Sequence, residues 1–221
     1  MAQAPATDAR EAMERMYRWQ RHIYDATRKF YLFGRDVLIR ELKPAPGEAV
    51  IEIGCGTARN LIALAKRHPD VQFFGVDAAQ AMLDTAAEEI AKAGLGARIR
   101  LAHGLAQDVT PAMVGRDRPF DRVLFSYALS IMDDWAPAVD AAVAALKPGG
   151  TIHVVDFGNQ EGLPGWFKRL LGTWLAQFHV RFRPEVQPYF EALAARTGGT
   201  VRFRSHMRGY AYLLEYRSRS A

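Results

Sequence analysis

The segment Val50-Ile51-Glu52-Ile53-Gly54-Cys55-Gly56-Thr57-Ala58-Arg59-Asn60 constrains the fold of this chain more than any other. An apolar strand pattern ends in Gly54-x-Gly56, and a helix pattern begins directly after it. Glycine at such a bend lets a ligand approach the backbone, because no Cβ stands in the way. Twenty-one residues beyond Gly56 a second apolar run closes on an acid, Phe73-Phe74-Gly75-Val76-Asp77. An acid that ends the next parallel strand borders the same crevice, where its carboxylate can accept both hydroxyls of a ribose. The pair predicts a nucleoside pocket at the carboxyl edge of a parallel sheet.

From residue 37 onward, strand and helix patterns alternate, which implies a parallel sheet with helices on both faces. Strands are predicted at 49–53, 72–76, 98–102, 121–126 and 151–156, and helices at about 58–67, 80–93, 110–115 and 134–146. Pro46-Gly47 and Pro148-Gly149-Gly150 supply turns ahead of the first and fifth strands. Residues 200–207 and 209–216, rich in Val, Phe, Tyr and Leu and joined near Arg208-Gly209, read as a terminal hairpin. With 221 residues, no internal repeat and no low-complexity linker, one domain is expected over 1–221.

The glycine spacing excludes two other nucleotide sites. A dinucleotide fingerprint needs a third glycine where Arg59 stands, and the Gly-Lys-Ser/Thr of a phosphate loop is nowhere in the chain. What remains, E-x-G-x-G with an acid ending strand two, resembles motif I and its successor in the class I S-adenosylmethionine-dependent methyltransferases. The resemblance implies a Rossmann-like seven-stranded, mostly parallel sheet with an antiparallel last strand and an N-terminal helical lid. It implies S-adenosylmethionine as cofactor, with Gly54, Cys55, Gly56 and Thr57 in the cofactor loop and Asp77 and Ala78 at the ribose.

Four later segments match in order. Asp77-Ala78-Ala79-Gln80-Ala81-Met82 resembles D-x-S-x-x-M/L, whose apolar residue covers the adenine. Ala79 replaces the usual Ser and removes a helix-capping hydroxyl, and Met82 serves equally well as helix core. His103-Gly104-Leu105-Ala106-Gln107-Asp108 stands where the family reads G-D-A-x-D. Leu105 replaces the acid, leaving the 105–106 backbone and Gln107 or Asp108 for the adenine ring and amine. Strand four ends in Ser126-Tyr127, polar residues at the pocket mouth, and Leu146-Lys147-Pro148-Gly149-Gly150 matches a structural turn. Asp156, ending strand five, is either a substrate contact or a capped turn.

The segment Ile23-Tyr24-Asp25-Ala26-Thr27-Arg28-Lys29-Phe30-Tyr31-Leu32-Phe33-Gly34-Arg35 most resembles bacterial diacylglyceryl-homoserine N-methyltransferases, which make the betaine lipid diacylglyceryl-trimethylhomoserine. That resemblance implies a lid over 1–43 ahead of a cofactor core at 44–160. Tyr31 and Arg35 would contact the methionine end of the cofactor, and Tyr24 would face the methyl. The acceptor would be a lipid amine methylated up to three times, with Tyr24, Tyr127 or water taking the proton. It also implies a functional link with the enzyme that makes the homoserine lipid. Phosphatidylethanolamine or a quinone precursor are the alternative acceptors, and Arg28, Arg181 and Arg183 are candidates for the substrate carboxylate.

Residues 161–195 read as an amphipathic insertion, followed by the hairpin at 196–221. Trp166, Phe167, Leu170, Leu171, Trp174, Leu175 and Phe178 share one helical face, and Gly162–Pro184 holds four basic residues and no acid. Such a helix suits an anionic membrane interface, or it covers the core. No run reaches the length of a membrane span and the N-terminus lacks a signal-peptide core, so a cytoplasmic, membrane-peripheral enzyme is expected. The net charge of +5 also admits an RNA-binding methyltransferase, but no RNA-binding module is recognisable and strand four lacks an N-P-P-Y-type motif. The single cysteine and the spacing of the six histidines offer no metal cluster, so no metal is expected.

Overall fold

In the computed structural model, which describes residues 32–177 and 180–220, the strand leading into the glycine turn is Ala49–Ile53 (β1), buried at every position. Burial on both faces is what a central strand between two helical layers requires. Gly34–Ala221 forms one compact unit, and the sheet lies within it. Tyr24, Arg28 and Tyr31 lie outside the described residues, as does Phe178.

In chain order this unit contains α1 (Arg35–Glu41), β1, α2 (Arg59–Arg67), β2 (Gln72–Asp77), α3 (Gln80–Lys92) and β3 (Ile99–His103). Two single-turn 3-10 segments precede β4 (Phe120–Ser126), α4 (Trp135–Ala144), β5 (Leu146–Phe157), α5 (Gly165–Ala176), α6 (Val186–Thr197), β6 (Thr200–His206) and β7 (Ala211–Arg217). The sheet has seven strands in the order β3-β2-β1-β4-β5-β7-β6. β1 through β5 are parallel, and β7 enters antiparallel between β5 and β6. The expected seven-stranded sheet is the observed one, hairpin included, while most of the expected N-terminal lid lies outside the described residues.

Alternation along the strands sorts the side chains into two layers. One face carries Ile51, Ile53, Phe74, Val76, Phe120, Val123, Phe125, Ile152 and Val154, packed with Val139 of α4 and Phe190 of α6. Phe74 and Phe120 meet edge to face at 5.5 Å in this layer. On the opposite face, Gly75 leaves room for α2. A Cβ there would lie 2.8 Å from both Cys55 Sγ and Leu61 Cδ1.

Three expectations are corrected. The helix predicted at 110–115 is instead two short 3-10 turns, Ala106–Asp108 and Pro111–Val114. Pro111 lacks an N–H and Gly115 leaves at φ +68, so no longer helix propagates. Leu146-Lys147-Pro148-Gly149-Gly150 is not a turn ahead of strand five but its first stretch. Leu146 pairs with Phe120 and Thr151 with Arg122, and Gly149 at φ +74 helps the strand absorb the extra residues as an irregularity. The insertion ends earlier than expected, because 186–197 is core helix α6. Its buried Val186, Phe190, Leu193 and Ala194 have helical spacing, and it packs on β6 and β7.

His153 of β5 is buried, with Nε2 2.9 Å from Thr151 Oγ1. Burial, reinforced by Arg122 and Arg217, pushes its pKa down to about 3. Glu215 therefore faces a neutral imidazole at pH 7, 3.8 Å away. Because the folded pKa lies below the unfolded one, unfolded chains take up the proton first, and stability falls as pH drops from about 6.5 toward 3. His153→Gln should remove a slope of about 1.4 kcal/mol per pH unit in this window. Denaturant unfolding at pH 7.5 and 4.5 measures it, and an unchanged slope would place the titrating group elsewhere.

Candidate active site

β1 and β4 are neighbours, but the chain leaves them in opposite directions, toward β2 and toward β5. Their following loops diverge and leave a crevice at the carboxyl edge, the place where open α/β sheets bind ligands. Four loops border it: 54–58 after β1, 78–79 after β2, 104–107 after β3 and 127–134 after β4.

The glycine loop is built to stay close to β2. Gly54 and Gly56 adopt φ +73 and +52, and the N–H groups of Gly54 and Cys55 both donate to Val76 O, at 2.8 and 3.1 Å. A Cβ on Gly54 would sit 2.9 Å from Ala128 Cβ, so its glycine lets the β1 and β4 loops touch. Asp77 Oδ2 accepts the Gly56 N–H at 2.7 Å and Oδ1 accepts the Ala79 N–H at 2.9 Å. Each oxygen keeps a further lone pair, and the residue is half-buried at the crevice. These two bonds also account for Ala79: α3 has no side-chain cap, and Asp77 takes the N–H just ahead of it.

Cys55 is buried and its thiol is pushed well above the usual range, first by burial and then by Glu52 and Asp77. It stays protonated and packs. Met82 is half-buried, whereas Leu83, Ala86 and Ile90 form the packed stripe of α3, which leaves Met82 at the rim. Leu105 is 50% exposed, and Ala106 and Gln107 are half-buried in the 3-10 turn beside it. His103 Nε2 lies 2.9 Å from Ala78 O and ties the β3 end to the β2 loop.

At β4, Ser126 and Tyr127 are buried, against the expected polar mouth. Tyr127 takes φ +54 and meets Phe157 edge to face at 4.7 Å. Burial, with Asp156 adding to it, pushes its phenol pKa well up, so the group is held as a neutral donor and is poorly suited to accept a proton. Asp156 resolves toward the capped turn. Its Oδ2 accepts the Ser130 N–H at 3.0 Å and its Oδ1 the Phe157 N–H at 2.8 Å. It is fully buried, which raises its pKa to about 6. Arg35, first residue of α1, is buried, and its charge opposes the larger upward push of burial and Asp156 on Tyr127.

Sequence reasoning missed one buried polar pair. Asn60 Nδ2 donates to Glu52 Oε1 at 2.6 Å, linking the motif acid to the first turn of α2. The signal was an asparagine among the helix positions that face the core. Arg183 is corrected as a carboxylate ligand: its Nη2 donates to Met132 O at 2.7 Å, which makes it a clamp on the β4 loop. Arg181 remains largely exposed, 3.5 Å from Asp133. Among the described residues, no cluster of three or more His, Cys, Asp or Glu is placed to hold a metal ion.

Residues 50–150, which span the glycine loop, Asp77 and the β4 loop, match the family described as "Methyltransferase domain". That match, over just under half of the chain, marks residues 50–150 as a methyltransferase domain. Its cofactor is S-adenosylmethionine, and the carboxylate at the end of β2, the close-approach glycine turn and the apolar rim fit a nucleoside with a charged tail. A demethylmenaquinone methyltransferase from Geobacillus kaustophilus is 27% identical over 168 residues, covering 76% of this chain and 65% of that protein. The chain thus spans just under two thirds of this curated relative. An O-methyltransferase family protein from Burkholderia thailandensis superposes with TM-score 0.69 at 21% identity, covering 91% of this chain and 60% of that one. A SAM-dependent methyltransferase from Aquifex aeolicus gives TM-score 0.65 at 16% identity, covering 90% and 97%. At these identities the two structures bear on the fold alone.

Asp77→Ala should weaken S-adenosylmethionine binding at least tenfold, the effect of losing charge-assisted hydrogen bonds, each worth about 1.5–3 kcal/mol. Calorimetric titration of a variant that keeps its circular dichroism spectrum measures this, and unchanged affinity would move the ribose elsewhere.

Proposed function

We propose that this protein transfers the methyl group of S-adenosylmethionine to an acceptor held in a membrane by a long apolar tail. The observation that carries the reading is how α5 joins the site. Leu171 and Leu175 of α5 are buried against the protein, while Trp166 and Leu170 are 69% and 64% exposed. Lys168 and Arg169 stand among them, and no acid occurs from Gly162 to Pro184. An apolar ridge with basic flanks complements an anionic lipid interface. The segment after α5 is then pinned to the β4 loop. The Arg181 N–H donates to Ser130 O at 2.9 Å, beside the Arg183 clamp on Met132 O. The lipid-facing ridge and the crevice wall are thus neighbours along one short stretch of chain. Among the described residues no helix is long and apolar enough to cross a membrane, so contact would be peripheral.

In this reading Asp77 holds the ribose, the Gly54–Thr57 backbone approaches the methionine end, and Met82 and Leu105 cover the adenine, with Ala78, Ala106 and Gln107 alongside. The cofactor, when bound, supplies an electrophilic methyl on a sulfonium. Displacement at such a carbon depends mainly on in-line positioning. The chain contributes the β4 loop as the wall of the crevice, with Ser126 and the protonated Tyr127 phenol buried behind it and the loop fixed by Asp156.

Two acceptors are favoured by separate observations. The curated relative named for demethylmenaquinone favours a quinone precursor, methylated at carbon. The N-terminal Tyr-Asp-Ala-Thr-Arg-Lys string favours the amine of diacylglyceryl-homoserine. Labelled S-adenosylmethionine offered with each acceptor in detergent, with phosphatidylethanolamine and with tRNA, followed by product mass, separates them. Transfer to a quinone precursor or a lipid amine is the expected result; transfer only to RNA or to a water-soluble acceptor sinks the proposal. In parallel, Trp166→Glu with Leu170→Glu should reduce sedimentation with anionic vesicles about tenfold while cofactor affinity stays unchanged. Undiminished sedimentation would show that this ridge faces something other than lipid.

A further inference from the structure

The positive charge of this chain is not spread evenly. Residues 196–221 hold six arginines, no lysine and one glutamate, an excess equal to the formal +5 of the whole chain. The rest of the protein is balanced. Arginine rather than lysine is the residue that grips phosphate through two parallel N–H bonds.

The register of the sheet gathers part of this charge on one face. Arg202 of β6 stands opposite Glu215 of β7, which stands opposite His153 of β5, and Arg217 follows two residues along β7 on the same face. These side chains border a cleft of about 640 Å³ that also receives Lys43, just past α1, and Arg122 of β4. The cleft lies at the amino-terminal ends of β4 and β5, the opposite edge of the sheet from Asp77.

The cations there differ in how far they are committed. Arg122 is spent on Glu48, at 2.6 and 3.3 Å, and on Leu42 O. Arg204, on the adjoining wall, pairs with Glu41 at 2.7 Å, so one of the cleft's two carboxylates is already matched. Arg217 touches Glu215 and Gly149 O only at 3.4 Å. Arg202 and Lys43 have no ion pair among the described residues. The buried imidazole of His153 registers the resulting field, since Arg122 and Arg217 both oppose its protonation.

We propose that this cleft binds a compact phosphate-bearing anion, held by Arg202, Arg217 and Lys43. The ligand would bridge the end of α1 to the β6–β7 edge and neutralise the charge concentrated there. The site is independent of methyl transfer.

The full-length protein is titrated with inorganic phosphate against sodium chloride of equal ionic strength, following melting temperature and the His153 imidazole resonances. Phosphate should raise the melting temperature saturably, with half-saturation in the low millimolar range or below, and should shift the His153 signals. Arg202→Ala with Lys43→Ala, both exposed positions, should weaken this at least tenfold and leave S-adenosylmethionine affinity intact. Asp77→Ala should leave phosphate binding intact, which separates failure here from failure of the methyl-transfer reading. A chloride response equal to that of phosphate, or an undiminished response in the double variant, overturns the site. Dihexanoyl phosphatidic acid distinguishes the sources: competition with phosphate supports the site with a lipid head group as ligand, and no competition supports it with a free phosphorylated metabolite.

Discussion

Two backbone N–H groups converge on the Asp77 carboxylate, and most of the carboxyl edge is arranged around them. Gly56 brings in the loop after β1, and Ala79 brings in the start of α3. A charged acceptor makes each bond stronger than an ordinary amide pair. Gly54 then carries the constraint across to β4, because its missing Cβ is the space occupied by Ala128. Asp156 completes the chain of constraint by fixing Ser130 from β5. Two acids at the ends of two strands therefore hold three loops in register. Only Asp77, half-buried, keeps lone pairs for a ligand, while Asp156 is enclosed and committed to the backbone.

How much of this was legible depended on whether local pattern or tertiary packing decides each position. The order of strands through residue 157, and of the helices between them except at 110–115, follows from periodicity, because a strand buried on both faces must be apolar throughout and the helices between must be amphipathic. β1 fell at the predicted residues for that reason. Helix α6 was hidden behind the Trp-rich segment, since its core stripe of Val186, Phe190 and Leu193 is short and interrupted by polar residues. The β5 irregularity was read as a turn because Pro148-Gly149-Gly150 carries turn chemistry. Only pairing with β4 shows that the strand passes through it.

The site was legible in its backbone parts and less so in its side chains. Gly54, Gly56 and Asp77 announce themselves, because close approach and a strand-terminal acid leave few alternatives. The pattern predicts Ser126 and Tyr127 as polar residues at an open mouth, yet both are buried. Sequence places a residue at a strand end but does not say whether the next layer closes over it. Here Phe157 and the β4 loop do so. Its sequence context makes Arg183 a candidate charge for a substrate, and its geometry makes it a hydrogen-bond donor to a carbonyl 51 residues away. A basic residue in a basic segment gives no clue to that.

The molecule is polar in its functional layout as well as its topology. The carboxyl edge gathers the cofactor loop and the apolar ridge of α5, while the opposite edge gathers the arginine excess of the terminal hairpin. α5 cannot be an isolated anchor, since the chain leaving it donates to Ser130 O and Met132 O, and Ser130 is the residue Asp156 holds. Those bonds meet the β4 loop within six residues of Tyr127. If the ridge rests on lipid, the interface bears directly on the shape of the acceptor crevice. Acceptor chemistry and membrane contact would then be one mechanical unit, which meets the Asp77-held cofactor loop where Gly54 packs against Ala128.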